Sequence, residues 1–245
     1  MLSITSAFPV TTEIVDRFSG TGLDPMWSQL NATKGTSAYG VDNGRLNFTV
    51  STATPYRTEN NISLINSTVF STIESWSVLI GVHNSAPYGN NGASQIQAYI
   101  TDPTFNFYLG ATLASYRLFP DNVFGLEKSS ASEWYTTEGV TAPATQDVSM
   151  KFTYEAQSGN LKVYTTIDGN DPIDNQYSYS FLGETTIDWI QYPTLAFVLS
   201  QNVYDIAIAQ NQMWVDNFAI IPEPSSLSLL ALGGLALAIN KRRRA

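Results

Sequence analysis

Apolar and polar side chains alternate at every second position along much of this chain, and the three-to-four-residue spacing of an amphipathic helix does not recur. Leu46, Phe48 and Val50 alternate with Arg45, Asn47 and Thr49 directly after an Asn43-Gly44 tight-turn signal, the pattern of a half-buried strand. Trp76, Val78, Ile80 and Val82 alternate with Ser77, Leu79 and Gly81, and Ile96, Ala98 and Ile100 with Gln95, Gln97 and Tyr99. Each of these runs predicts a strand in a sheet with one wetter side. The clearest hairpin puts Val148, Met150, Phe152 and Tyr154 on one side of a strand and turns at Gln157-Ser158-Gly159-Asn160. It returns through Leu161, Val163, Thr165 and Ile167 to a second turn at Asp168-Gly169. Further strands are expected over 194–199 and 213–221. Short strands, frequent Gly, Asn and Ser turns and no fixed-period repeat predict an all-β sandwich or barrel.

The last two dozen residues break this pattern. Pro222-Glu223-Pro224 leads into an uncharged, mostly apolar run over 225–239, followed by Lys241-Arg242-Arg243-Arg244. Fifteen residues make roughly 22 Å of helix against a hydrocarbon core of about 30 Å, so length alone also allows a buried core helix. Four cations against the end of an apolar run suit the cytoplasmic flank of a membrane segment, which places residues 1–221 on the other side. The triplet, the apolar helix and the arginine cluster, in this order, resemble the PEP-CTERM sorting signal of exported bacterial proteins, read by the membrane enzyme exosortase. The resemblance implies exosortase as partner, Pro222, Glu223 and Pro224 as recognition residues with Arg242, Arg243 and Arg244 in the basic flank, and an inner-membrane precursor delivered to the envelope or extracellular matrix.

With 245 residues and 43% hydrophobic composition the chain can bury one substantial core. The expected division is an N-terminal extension at 1–10, a sandwich at 11–221 and the sorting signal at 222–245. The first residues have neither a cationic region nor an apolar run fit for export, so a misplaced start or a missing leader is expected. Before Pro222 the chain carries eight cations against twenty acids, a net charge of −12. Such a surface repels nucleic acid and anionic headgroups and leaves neutral sugars, cations and basic partners as candidates. The absence of cysteine excludes a disulfide framework and thiolate chemistry.

A second resemblance covers most of residues 14–220. Asp16-Arg17-Phe18 with Gly22-Leu23-Asp24 and Trp27, then Gly44-Arg45-Leu46, are similar to the opening of concanavalin A-like jelly-roll domains. Phe152 to Gly169 resembles the central hairpin of laminin G-like and legume-lectin-like sandwiches, and Trp214-Val215-Asp216-Asn217-Phe218 resembles their closing strand. The fold expected is therefore all-β, a concanavalin A-like jelly-roll sandwich followed by one short C-terminal membrane helix. Sugar binding comes with the resemblance as a hint, since fold does not fix function.

Jelly-roll glucanases of similar fold carry a Glu-x-Asp-x-x-Glu strand motif, which this sequence lacks. The nearest carboxylate pairs, Glu133/Glu138 and Glu184/Asp188, read as solvated turn residues. His83 is the only histidine, which rules out a multi-histidine metal centre, and no Gly-x-Ser-x-Gly elbow accompanies it. No cofactor is expected. Calcium is the one metal candidate, through hard oxygens at Asp168, Asn170 and Asp174, a stretch that is also ordinary turn chemistry. Aromatic rings in polar loops are candidate platforms for pyranose faces: Trp134, Tyr135, Tyr177 and Tyr179, with Tyr88 as a further loop ring. The Asn31, Asn47, Asn61 and Asn66 sequons are chance matches in a chain rich in Asn, Ser and Thr. The expectation is a non-catalytic exported protein that binds glycan or exopolysaccharide. A secreted glycan-active enzyme and a purely structural surface protein are the alternatives.

Overall fold

The Asn43-Gly44 turn is left-handed at both positions (φ 54° and 73°), as a two-residue type I′ hairpin requires. It joins β3 (Ser37–Asp42) to β4 (Arg45–Val50), and Leu46, Phe48 and Val50 enter the core together. The computed structural model describes residues 13–52, 59–86, 93–116, 122–130, 140–142, 147–166 and 179–222. Every element within them is a strand: besides β3 and β4 these are β1 (Ile14–Asp16), β2 (Trp27–Gln29), β5 (Glu59–Ser71), β6 (Trp76–Asn84), β7 (Ala93–Thr101), β8 (Phe107–Tyr116) and β9 (Asn122–Ser130). β10 (Val140–Ala142), β11 (Val148–Glu155), β12 (Asn160–Thr166), β13 (Ser180–Thr186), β14 (Thr194–Tyr204) and β15 (Met213–Pro222) complete the set.

Two antiparallel sheets face each other across one apolar core. An eight-stranded sheet runs β13-β12-β11-β6-β15-β4-β3, with β1 also pairing β15, and a seven-stranded sheet runs β10-β9-β8-β7-β14-β5-β2. The expected hairpin is β11 and β12, where Met150 pairs with Thr165 and Phe152 with Val163. β6 departs from the expected wet side, for all nine of its residues are buried. It lies between β11 and β15, where Leu79 sits in register between Lys151 and Ala219 and His83 is covered by Trp214, so neighbouring side chains close over its outer face.

The residues that resemble the jelly-roll opening and closing strands turn out to fasten the two sheets. Asp16 Oδ1 accepts the Phe18 amide at 2.7 Å and Oδ2 accepts the Trp27 indole N–H at 2.9 Å. Burial pushes the Asp16 carboxyl up, and these two hydrogen bonds oppose the rise. Trp27, on the seven-stranded sheet, meets Phe218 of the eight-stranded sheet edge-on at 4.8 Å and Phe197 at 6.1 Å. Asn217 (φ 53°) sits at a register shift in β15, where the flanking partner changes from β4 at Trp214 and Val215 to β1 at Phe218 to Ile220. Arg17 donates to its Oδ1 at 3.1 Å, holding that bulge.

Candidate functional site

Period-two alternation sends one set of side chains from each strand of the seven-stranded sheet away from the core, and strand register aligns them in rows. One row reads Ser63, Ser200, Gln97, Thr112 and Gly125 across β5, β14, β7, β8 and β9; the next reads Ile65, Val198, Tyr99, Gly110 and Glu127. Asn61 and Asn202 pair on the other side of the serines.

These side chains form one directed hydrogen-bond chain. Asn61 Nδ2 donates to Asn202 Oδ1 and, at 3.3 Å, to Ser200 Oγ. Asn202 Nδ2 donates to Gln97 Oε1 at 2.9 Å, and Gln97 Nε2 donates to Glu127 Oε1 at 2.8 Å. Thr112 adds a second donor to the same oxygen at 2.6 Å. Two donors thus fix Glu127 Oε1, while Oε2 carries no hydrogen bond among the described residues. Ser63 and Ser200 share a 2.9 Å hydrogen bond beside the Tyr99 ring. Gly110 makes room for this arrangement: a Cβ there would lie 2.6 Å from Tyr99 Cβ and 2.8 Å from the Ala98 carbonyl oxygen. Tyr99 and Tyr108 stand 5.9 Å apart beside that gap. Asn61, Ser63, Ser200, Gln97 and Thr112 are buried beneath this face, which presents the half-buried Glu127, Asn202, Tyr99 and Tyr108: an acceptor, an amide and flat apolar area, the kinds of group that polyhydroxylated ligands use.

Burial first, then the nearby Glu127 charge and Tyr99, pushes the Tyr108 phenol up to about 12, and burial pushes Tyr99 up as well. Both remain neutral donors across the neutral range. Their unfolded phenols ionise near 10, so stability should hold below pH 10 and fall as pH rises from there toward about 12. In a tyrosinate absorbance titration, Tyr108→Phe should remove signal near pH 12; removal near pH 10 would contradict this environment.

Trp134, Tyr135, Tyr177, Asp168, Asn170, Asp174, Glu223, Pro224, Arg242, Arg243 and Arg244 lie outside the described residues, as do Tyr88, Glu133 and Glu138. Tyr179 is half-buried just before β13, at the edge of the eight-stranded sheet, its ring 5.6 Å from Lys151 Nζ. Pro222 ends β15 opposite Trp76. Glu184 lies on the edge strand β13 across from Lys162, and Asp188 caps its own turn by accepting the Ile190 amide at 2.9 Å, which gives the pair separate structural positions. His83 Nδ1 donates to Asp147 Oδ1 at 2.8 Å and stacks on Trp214 at 4.8 Å, with the Arg45 guanidinium 3.9 Å from the same indole. Asn47, Asn61 and Asn66 are buried strand residues, geometry unsuited to glycan attachment. Among the described residues no group of three His, Asp or Glu side chains could hold a metal, and no helix is long and apolar enough to cross a membrane.

Sequence inspection missed Glu127, Asn202, Thr112 and Tyr108. The available signal was the alternation of polar residues in Asn61-x-Ser63, Gln95-x-Gln97-x-Tyr99 and Ser200-x-Asn202, which marks an outer sheet face that is uniformly hydrogen-bonding.

The two facing sheets and their strand order define a concanavalin A-like jelly roll of the legume-lectin kind. Solved structures of similar fold include winged bean acidic lectin complexed with methyl-alpha-D-galactose (TM-score 0.54, 8% identity, covering 85% of this chain and 97% of that one). Lectin II from Ulex europaeus (TM-score 0.52, 10% identity, 87% and 99%) and the VIP36 exoplasmic/lumenal domain in a Ca2+/Man2-bound form (TM-score 0.51, 15% identity, 86% and 87%) are also similar. A comparison with curated proteins finds no match. Residues 221–244 match the PEP-CTERM protein-sorting motif, so the chain joins a lectin-like sandwich to the signal of exosortase-sorted exported proteins.

Proposed function

We propose that this is an exported envelope or matrix protein, without catalytic activity, that binds neutral glycan through the outer face of its seven-stranded sheet. The hydrogen-bond chain ending on Glu127 carries this reading, because it preorganises a carboxylate oxygen and aromatic surface before any ligand arrives. Sugar hydroxyls donate to carboxylates and accept from amides, and pyranose faces cover rings such as Tyr99 and Tyr108. The division into sandwich and sorting tail at Pro222 belongs to the same proposal, as do membrane anchoring through 225–239, extra rings at Trp134, Tyr135 and Tyr177, and calcium at Asp168, Asn170 and Asp174.

Glycoside hydrolysis needs two carboxyl groups within about 10 Å. The other described carboxylate whose strand position points out of this face is Glu59, on β5, four strands from β9 and so roughly 19 Å away by strand spacing. It is also ion-paired to Lys34 at 2.9 Å. This separation favours binding over hydrolysis.

The sorting half of the proposal has its own test. Replacing Pro222, Glu223 and Pro224 by alanine should leave full-length precursor in the inner membrane, while native protein reaches the envelope or medium without its tail. Equal processing of both forms would refute exosortase recognition of the triplet.

A further inference from the structure

β15 ends at Pro222 opposite Trp76, the first residue of β6, so the chain leaves the sandwich beside the β5–β6 turn at 72–75. Besides the polar β11–β12 turn, where Ala156 donates its amide to Ser75 Oγ at 3.0 Å, two turns with apolar side chains gather at this end. The 187–193 segment is tied to the β5–β6 turn by the Thr72 amide and hydroxyl, which both donate to the Pro193 carbonyl oxygen at 3.2 and 3.0 Å. The β7–β8 turn at 102–106 joins them through Phe107, whose ring lies 5.5 Å from that of Tyr192.

These three turns hold Ile73 (75% exposed), Ile190 (74%), Trp189 (54%) and Phe105 (37%), four of the six large exposed hydrophobic residues among the described ones. Two of them are each held by their own aspartate. Asp188 accepts the Ile190 amide at 2.9 Å and its carbonyl accepts the Tyr192 amide at 2.8 Å, while Asp102 Oδ1 accepts the Phe107 amide at 2.6 Å and Oδ2 the Thr104 amide at 2.9 Å. Phe105 stands at φ 58°, a conformation that bulky side chains avoid, so its ring is presented to solvent at a local cost in strain.

We infer that this rim rests on the surface of the bilayer, its apolar side chains seated among zwitterionic headgroups. The inference rests on the proposed anchoring of residues 225–239. Only Glu223 and Pro224 separate Pro222 from that apolar run, a reach of about 10 Å at full extension. β14 runs away from the rim for eleven residues, roughly 36 Å, so the opposite end of the sandwich, where β14 finishes at Tyr204, is held well away from the point where the chain leaves at Pro222. A net charge of −12 before the tail makes attraction to anionic lipid the wrong force, which leaves apolar insertion of Trp, Phe and Ile, the side chains suited to the interface. Docking would hold Pro222-Glu223-Pro224 at headgroup height.

The chain has no cysteine, so single cysteines introduced by Ile73→Cys, Ile190→Cys and Ala207→Cys can each carry one fluorophore. Ala207 is exposed beyond the far end of β14 and serves as the reference. The labelled full chains are reconstituted with phosphatidylcholine vesicles, floated, and exposed to headgroup-proximal doxyl lipid. Quenching at positions 73 and 190 should exceed that at 207 by roughly twofold or more, as expected for side chains within the interface. Equal quenching at all three in a chain that floats would overturn the rim inference and leave anchoring intact. A chain that fails to float would overturn the anchoring reading and the rim with it.

Discussion

Trp27→Ala is expected to cost about 3–5 kcal/mol of folding stability, with a large fall in melting temperature. The indole is 4% exposed and bridges both sheets, meeting Phe218 at 4.8 Å and Phe197 at 6.1 Å. Its removal also strands Asp16 Oδ2, a buried acceptor held only 2.9 Å from the lost donor, and a carboxylate already disfavoured by burial loses one of the two bonds that compensate it. Trp27→Phe should recover much of the packing and still lose that hydrogen bond, so it should fall between native and alanine forms in denaturant midpoint. A native-like midpoint for Trp27→Ala would show that the sheets are fastened elsewhere.

Glu127→Gln should leave stability almost unchanged and weaken glycan binding by about 10- to 100-fold, the effect of removing hydrogen bonds to a charged group worth about 1.5–3 kcal/mol. The side chains are nearly isosteric, and glutamine Oε1 can still accept from Gln97 and Thr112 as the carboxylate does at 2.8 and 2.6 Å. What changes is the outer atom, which becomes an N–H donor where sugar hydroxyls meet an acceptor in the native protein. Gly110→Val should weaken binding through a different route, since a Cβ would press on Tyr99 at 2.6 Å. Unaltered affinity in both variants would place the ligand elsewhere.

Where the core face alternates cleanly, the fold was legible in the sequence. Leu46, Phe48 and Val50 after Asn43-Gly44, and Val148 to Tyr154 before its turn, were readable because each residue's environment is set by its immediate neighbours. β5 was not readable, because its pairing with β14 slips between Ile65 and Val69 and its inward Asn60 is polar, used to accept the Thr36 amide at 2.8 Å. β8 escaped notice because small residues such as Gly110, Ala111 and Ala114 give little contrast between its faces. The Asp16, Trp27 and Phe218 signature indicated the jelly roll correctly but not its own role, since a hydrogen bond between residues eleven apart is not a periodic signal. The site was least legible of all. Its chain from Asn61 through Asn202 and Gln97 to Glu127 exists only once five strands, β5, β14, β7, β8 and β9, are laid side by side.

Whether this face takes an uncharged polysaccharide is tested most directly by a binding isotherm. The native full chain, in detergent, would be titrated with neutral exopolysaccharide from the matrix of the producing cells at 0.15 M and again at about 1 M sodium chloride, where the Debye length shrinks to about 3 Å. Hydrogen bonding and ring contact to a neutral sugar predict saturable binding that is nearly the same at both salt concentrations and about 10- to 100-fold weaker in Glu127→Gln. No binding, or binding that disappears at the higher salt and persists in Glu127→Gln, would contradict that mode of binding.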